Sequence, residues 1–241
     1  MNPLLQSVLF ALAAAFANVL GGVIVTTHEW ARRSLRYFIA LGAGFMLGAV
    51  FLEMLPKSLE RSESAPALML VGYLIVHMFE HTFASHLHFG EETHHDELTD
   101  PAVGISAFIG MLVHTFFDGV AIGSGFEVSE SVGIIVFLAV FLHKIPDGFT
   151  IASILLTAGY SKNRAVTAAA ALGVSTLAGV FVVHLTPGLF KYAFPVSAGS
   201  LLYVSATDLM PEVNRDPGVK MAFVVFAGMG LFLVIQKVAG I

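Results

Sequence analysis

Long apolar runs alternate with short polar breaks from one end of this chain to the other. With roughly 20 residues needed per membrane crossing, the pattern predicts eight helices at about 3–26, 35–58, 67–88, 101–126, 130–158, 163–187, 190–211 and 218–240. The breaks are short apart from HLHFGEETHHDELTD between the third and fourth helices. No run is left over for a soluble domain, so residues 1–241 are expected to form a single all-α transmembrane bundle. A transmembrane β-barrel would need short alternating strands, which this pattern does not contain. The first run, PLLQSVLFALAAAFANVLGGVIV, has no basic residue ahead of it, which predicts a retained helix and not a cleaved signal peptide.

Composition agrees with the pattern. Only 12% of residues are charged against 56% hydrophobic, with a mean hydropathy of +0.83, whereas a soluble domain carries about a quarter charged residues. Arg32, Arg33, Arg36, Lys162, Arg164, Arg215 and Lys220 flank the first, fifth and seventh breaks, seven against the four on the other side, Lys57, Arg61, Lys191 and Lys237. The positive-inside bias therefore predicts both termini outside and the 86–100 loop in the cytoplasm, in a plasma (inner) membrane. Nothing in the charge pattern points to a nucleic acid. The expected partners are the bilayer and an ion, and the oligomeric state is open, a homodimer included. The chain has no cysteine, so any metal must be held by His, Asp, Glu, Met or backbone oxygen.

Against that background the polar residues inside the apolar runs stand out. The fourth helix contains HTFFDG (His114 to Gly119) and the fifth HKIPDG (His143 to Gly148). Both read H-x-x-x-D-G, which places an imidazole and a carboxylate on one helical face, one turn or roughly 6 Å apart. A short connection near EVSES makes the two helices antiparallel neighbours. With their midpoints level, His114, Asp118, His143 and Asp147 converge as two nitrogen and two oxygen ligands for a divalent ion. Interhelical hydrogen bonding is the competing reading, but four ionisable groups in matched spacing are expensive in a bilayer. Pro146 removes an N–H and frees the carbonyl of Leu142, which predicts a kink and a possible oxygen ligand.

Further polar groups extend the set. His77, Glu80 and His81 in VHMFEH fall toward the cytoplasmic half of the third helix, and Asp208 and Glu212 in YVSATDLMPE near the same side of the seventh. Glu53 in FLEMLP lies near the outer end of the second helix, and Met46 lies mid-span in GAGFMLGA as a soft ligand or a packing residue. His184 reads as a wetted residue at the outer end of the sixth helix. The long loop carries His86, His88, His94 and His95 among acidic residues, a weak capture site for divalent ions or simply a solvated loop.

These features together resemble the ZIP family of divalent metal transporters: eight helices with both ends outside, HTFFDG, HKIPDG, and the seventh-helix run AGSLLYVSATDLMPE. The resemblance implies a transport site between the fourth and fifth helices, with His114, Asp118, His143 and Asp147 as ligands and Met46 contributed by the second. The family often holds two metals. Here Thr115 stands in place of the usual amide or serine, Lys144 in place of a carboxylate, and Gly148 in place of a further possible acid. A charged lysine cannot ligate a divalent ion, so Lys144 is expected to occupy the second metal's place and leave a single-metal site.

The resulting expectation is a transporter, not an enzyme, moving a divalent cation toward the cytoplasm by alternating access. The cation is substrate and not cofactor: Zn²⁺ first, with Fe²⁺, Mn²⁺ and Cd²⁺ not separated by such ligands. Glu53 would serve the outer mouth, and His77, Glu80, His81 and Asp208 the inner path. An intramembrane zinc hydrolase is the alternative, weakened by the lack of an H-E-x-x-H motif. A metal sensor is a third, with no signalling domain attached.

Overall fold

The computed structural model describes residues 2–27, 31–83, 101–186, 188–215 and 218–238. They form eight helical rods: α1 (Pro3–Thr27), α2 (31–59), α3 (Ala65–Phe83), α4 (Pro101–Val128), α5 (Glu130–Thr157), α6 (Lys162–Leu185), α7 (190–214) and α8 (Val219–Val238). No strand occurs among the described residues. Six of the rods, α1, α2, α4, α5, α6 and α8, are long and apolar enough to cross a membrane. The polar residues of α3 (His77, Glu80, His81) and α7 (Ser197, Ser200, Ser205, Thr207, Asp208) dilute the apolar character of the other two.

Two rods change gauge partway. In α2 the segment Ala49–Met54 is a π-turn between Ala31–Gly48 and Leu55–Leu59. In α7 the segment Val204–Leu209 is a π-turn between Phe190–Tyr203 and Met210–Asn214. Leu55 N–H bonds to the Val50 carbonyl and Met210 N–H to the Ser205 carbonyl, each five residues back. A proline follows directly in both, Pro56 and Pro211. Proline offers no N–H to the carbonyl four residues earlier, and widening the turn accommodates that loss. Both π-turns carry a carboxylate three residues before the proline, Glu53 in EMLP and Asp208 in DLMP.

The rods pack mainly as α1 on α5 and α6, α4 on α5 and α6, α3 on α7, and α2 on α8. Glycine sets the approach. A Cβ on Gly119 would lie 1.8 Å from the Thr176 carbonyl oxygen, and one on Gly148 would lie 1.8 Å from that of Asn18. The closing glycine of each H-x-x-x-D-G motif is thus where a neighbouring backbone, α6 or α1, comes into contact. Without a hydrophobic driving force between helices in lipid, such close backbone approach is what holds them. Position 148 therefore has no room for the acidic side chain considered from sequence. Phe45, Met46, Met54, Phe194, Leu201 and Phe232 are fully buried in the principal core. Phe16, Phe223, Phe226 and Val238 are exposed on the outside, as befits an integral membrane protein whose solvent there is lipid.

Candidate metal centre

The centre is built by a very tight connection. Only Ser129 separates α4 from α5; its backbone is extended, and its hydroxyl oxygen accepts from Val132 N–H at 3.2 Å, capping α5. A one-residue hinge folds α5 back along α4, and their motifs meet in opposite directions. His114 and Asp118 of α4 and His143 and Asp147 of α5 are all buried, with one ligand atom of each lying within 4.8 Å of the others.

His114 Nε2 lies 3.3 Å from Asp118 Oδ2 and 3.5 Å from Asp147 Oδ2; His143 Nε2 lies 3.4 Å and 3.8 Å from the same two oxygens. The two rings are 5.6 Å apart and nearly edge-on. His143 Nδ1 donates to the Ala139 carbonyl at 3.0 Å. In the neutral ring that bond fixes the tautomer and turns the Nε2 lone pair toward the carboxylates, the orientation of a metal ligand held by an outer hydrogen bond. Neither ring nitrogen of His114 makes a hydrogen bond, nor does Asp118 Oδ1, although all are buried. Lone pairs facing carboxylate oxygens in a dry site call for a cation between them.

One cation is built in. The Lys144 ammonium is fully buried, donates to Asp118 Oδ2, and reaches Asp147 Oδ2 at 3.1 Å. One ammonium stands against two carboxylates, with two imidazole rings beside them.

A model of the ZIP zinc transporter family matches residues 90–236, the stretch that contains this centre. The chain belongs to the ZIP family. It is 30% identical over 130 residues to zinc transporter ZIP6 of Homo sapiens, covering 50% of this chain and 17% of that protein. It is 31% identical over 158 residues to zinc transporter ZIP9 of Micropogonias undulatus, covering 61% of this chain and 50% of that protein. The matches thus span half or less of these curated relatives. Both relatives are named as transporters, which leaves the intramembrane-hydrolase alternative without support.

In this ZIP chain the other residues singled out from sequence are placed as follows. Glu80 and Asp208 approach His114: one ligand atom of each of the three lies within 4.8 Å of the others. His77 and His81 lie tilted against each other with ring centroids 4.0 Å apart, and His77 also meets the Tyr203 ring edge-on at 5.9 Å. Glu53 is not brought to the centre. It is 2% exposed, and Gln236 of α8 donates to its Oε2 at 2.9 Å. Met46 is fully buried in the principal apolar core. Thr115 is buried with its hydroxyl donating back to the Leu112 carbonyl at 3.2 Å. The freed carbonyl side of Leu142 faces Gly42 of α2, and α5 runs on through Pro146. Glu212 pairs with Arg215 at 3.1 Å on the partly exposed end of α7. His86, His88, His94 and His95 lie outside the described residues.

One sequence reading is corrected. His184 is not wetted: its side chain is 5% exposed and clamped between Glu127 Oε1 at 2.8 Å and the Ser7 hydroxyl at 3.0 Å. Helix packing among α1, α4 and α6 buries what the linear sequence left near a chain break. The link of His114 to Glu80 and Asp208 was also missed, since those residues are far apart in sequence. The repeated acid-x-x-Pro spelling was the available signal for the two π-turns.

Proposed function

We propose that this chain transports a divalent cation, Zn²⁺ first, toward the cytoplasm across a plasma (inner) membrane. The observation that carries the reading is the buried convergence of two imidazoles and two carboxylates from α4 and α5. In this reading α3 and α7 also cross, giving eight crossings with both termini outside, and the excess of Lys and Arg at the first, fifth and seventh breaks marks the cytoplasmic side. His114, Asp118, His143 and Asp147 hold the ion at mid-membrane. Met46 adds a soft ligand when α2 shifts toward the centre. Glu53 receives the ion at the outer mouth, His77, Glu80, His81 and Asp208 guide it inward, and the loop histidines gather it after release.

Lys144 gives the centre a single metal. Its ammonium already bridges Asp118 and Asp147, the place a second divalent ion would need, and like charges so close repel strongly in a site of low dielectric constant. Thr115, tied to its own helix, offers that second ion little.

The deciding experiment is Zn²⁺ flux into proteoliposomes containing the full chain. Wild-type protein is expected to load the vesicles, and His143→Ala to lose most of that flux. Zn²⁺ binding with turnover of lipid or peptide and no flux would instead restore the hydrolase.

A further inference from the structure

We propose that His184, held between Glu127 and Ser7, is a proton-operated latch across one end of α1, α4 and α6. It is closed when both ring nitrogens carry a proton and loosened when one is lost. The latch stands on its own contacts; only its place on the outer side of the membrane rests on the transport reading.

Three contacts run in series through this cluster. Ser7 Oγ lies 2.8 Å from the Pro3 carbonyl oxygen and 3.0 Å from His184 Nε2, and His184 Nδ1 lies 2.8 Å from Glu127 Oε1. The two ends, a carbonyl and a carboxylate, only accept, so three hydrogen bonds need three protons. The Ser7 hydroxyl has one, and a neutral imidazole adds one more. A neutral ring therefore keeps two of the three contacts, and the imidazolium keeps all three. In that state Ser7 donates to Pro3, Nε2 donates to Ser7, and Nδ1 donates to Glu127.

The surroundings favour holding the third proton. Ser7 is fully buried and the His184 side chain is 5% exposed, whereas the Glu127 side chain, at 32%, gives the cluster its contact with water. With the proton the cluster is neutral; without it, the cluster leaves a negative charge in the bundle, which is costly. No other charged group answers that charge. α1 carries no charged side chain or histidine, and on α4 the nearest is Asp118, nine residues or about 14 Å along the helix. α5 brings Glu130, exposed in its first turn, and otherwise only the mid-span His143, Lys144 and Asp147; Lys191 at the start of α7 is exposed. Loss of the proton breaks one contact: Ser7 turns to the ring and leaves Pro3, or stays on Pro3 and releases α1 from α6. Lower down, the same helices are fixed by backbone packing. A Cβ on Gly179 of α6 would lie 2.1 Å from the Phe116 carbonyl oxygen of α4, and one on Gly173 would lie 2.6 Å from the Ala15 Cβ of α1. The latch thus governs the ends of the three helices and leaves their middles in place.

Thermal melts in detergent with chelator present test the proton, at about pH 6 and about pH 8.5, on either side of the range in which imidazoles titrate. The folded chain holds a proton that the unfolded chain releases, so the stability supplied by the latch falls as pH rises. One hydrogen bond of ordinary strength is at stake, and wild type should lose about 2–4 °C more over this step than His184→Gln or Glu127→Gln. The remaining histidines are common to wild type and Glu127→Gln, and their effect cancels in that comparison. Spin labels test the loosening. The chain has no cysteine, so Leu5→Cys/Leu185→Cys, at two exposed positions beside the latch, labels the ends of α1 and α6 alone. The label-to-label distance should spread on raising the pH in this background and stay unchanged once Glu127→Gln is added. If His184→Gln does not fold, Glu127→Gln and the labelled chain decide. Equal pH responses in all the proteins would overturn the proposal, as would a step in the melts with an unchanged distance spread. A latch that responds as expected in a chain without Zn²⁺ flux would sink the transport reading and leave the latch standing.

Discussion

The ammonium of Lys144 bridges two carboxylates, Asp118 on the neighbouring helix and Asp147 one turn further along its own. It is the only lysine or arginine of the described residues that is fully buried, and it sits among the four candidate ligands His114, Asp118, His143 and Asp147. Removing one partner of a buried ion pair leaves the rest uncompensated, at about 3–5 kcal/mol. Lys144→Ala is therefore expected to lower the melting temperature in detergent with chelator present, and added Zn²⁺ to recover most of the loss. Metal counting should give one ion at the centre in wild type and a tighter or second ion in the variant. Two ions at the wild-type centre would sink the single-metal reading.

The motif glycines set the position of the centre as well as the packing of the bundle. Gly148→Ala drives a methyl into the Asn18 carbonyl, whereas a Cβ on Gly230 of α8 meets nothing within 4 Å. Overpacking of this kind costs roughly 1–3 kcal/mol, and here it also displaces the adjacent Asp147. Gly148→Ala should lose thermal stability and weaken Zn²⁺ binding together. Gly230→Ala should leave binding intact and match or slightly exceed wild-type stability, since alanine favours a helix by roughly 0.5–1 kcal/mol over glycine. Thermal melts and equilibrium dialysis on both variants check the contrast.

Far from the centre, the His184–Glu127 contact at 2.8 Å ties α6 to α4, and Ser7 adds α1. His184→Ala takes the partner from the half-buried Glu127 carboxylate, while the Ser7 hydroxyl keeps its bond to the Pro3 carbonyl at 2.8 Å, an expected loss of about 1 kcal/mol. Because the site is remote from the ligands, the number of bound ions should not change. A variant that keeps its stability, read by thermal unfolding, would show that the clamp is incidental.

Met46 is tested by a substitution that conserves volume. Met46→Leu keeps the apolar core filled, at less than about 1.5 kcal/mol, and removes only the sulfur. As a ligand, Met46 prefers softer ions, so Cd²⁺ transport should fall more than Zn²⁺ transport in a competition flux assay. Equal rates for both ions would make Met46 a packing residue.

The helices and the central ligand candidates were legible in the sequence for a physical reason. A bilayer demands about 20 apolar residues per crossing, so interruptions are conspicuous, and two H-x-x-x-D-G motifs in adjacent helices have few ways to face each other. The i, i+4 spacing fixes which side chains share a face, and the one-residue hinge at Ser129 leaves an antiparallel fold-back as the outcome.

What the tertiary structure alone decided lies between elements distant in the chain. That His114 also meets Glu80 and Asp208, that Glu53 is covered by Gln236, and that His184 is clamped by Glu127 and Ser7 all depend on how α1, α3, α7 and α8 are placed around α4 and α5. Helical periodicity says which face a residue occupies, not which helix that face will meet. The answer comes from close backbone packing at glycines such as Gly119 and Gly148, whose partners on α6 and α1 no local pattern names.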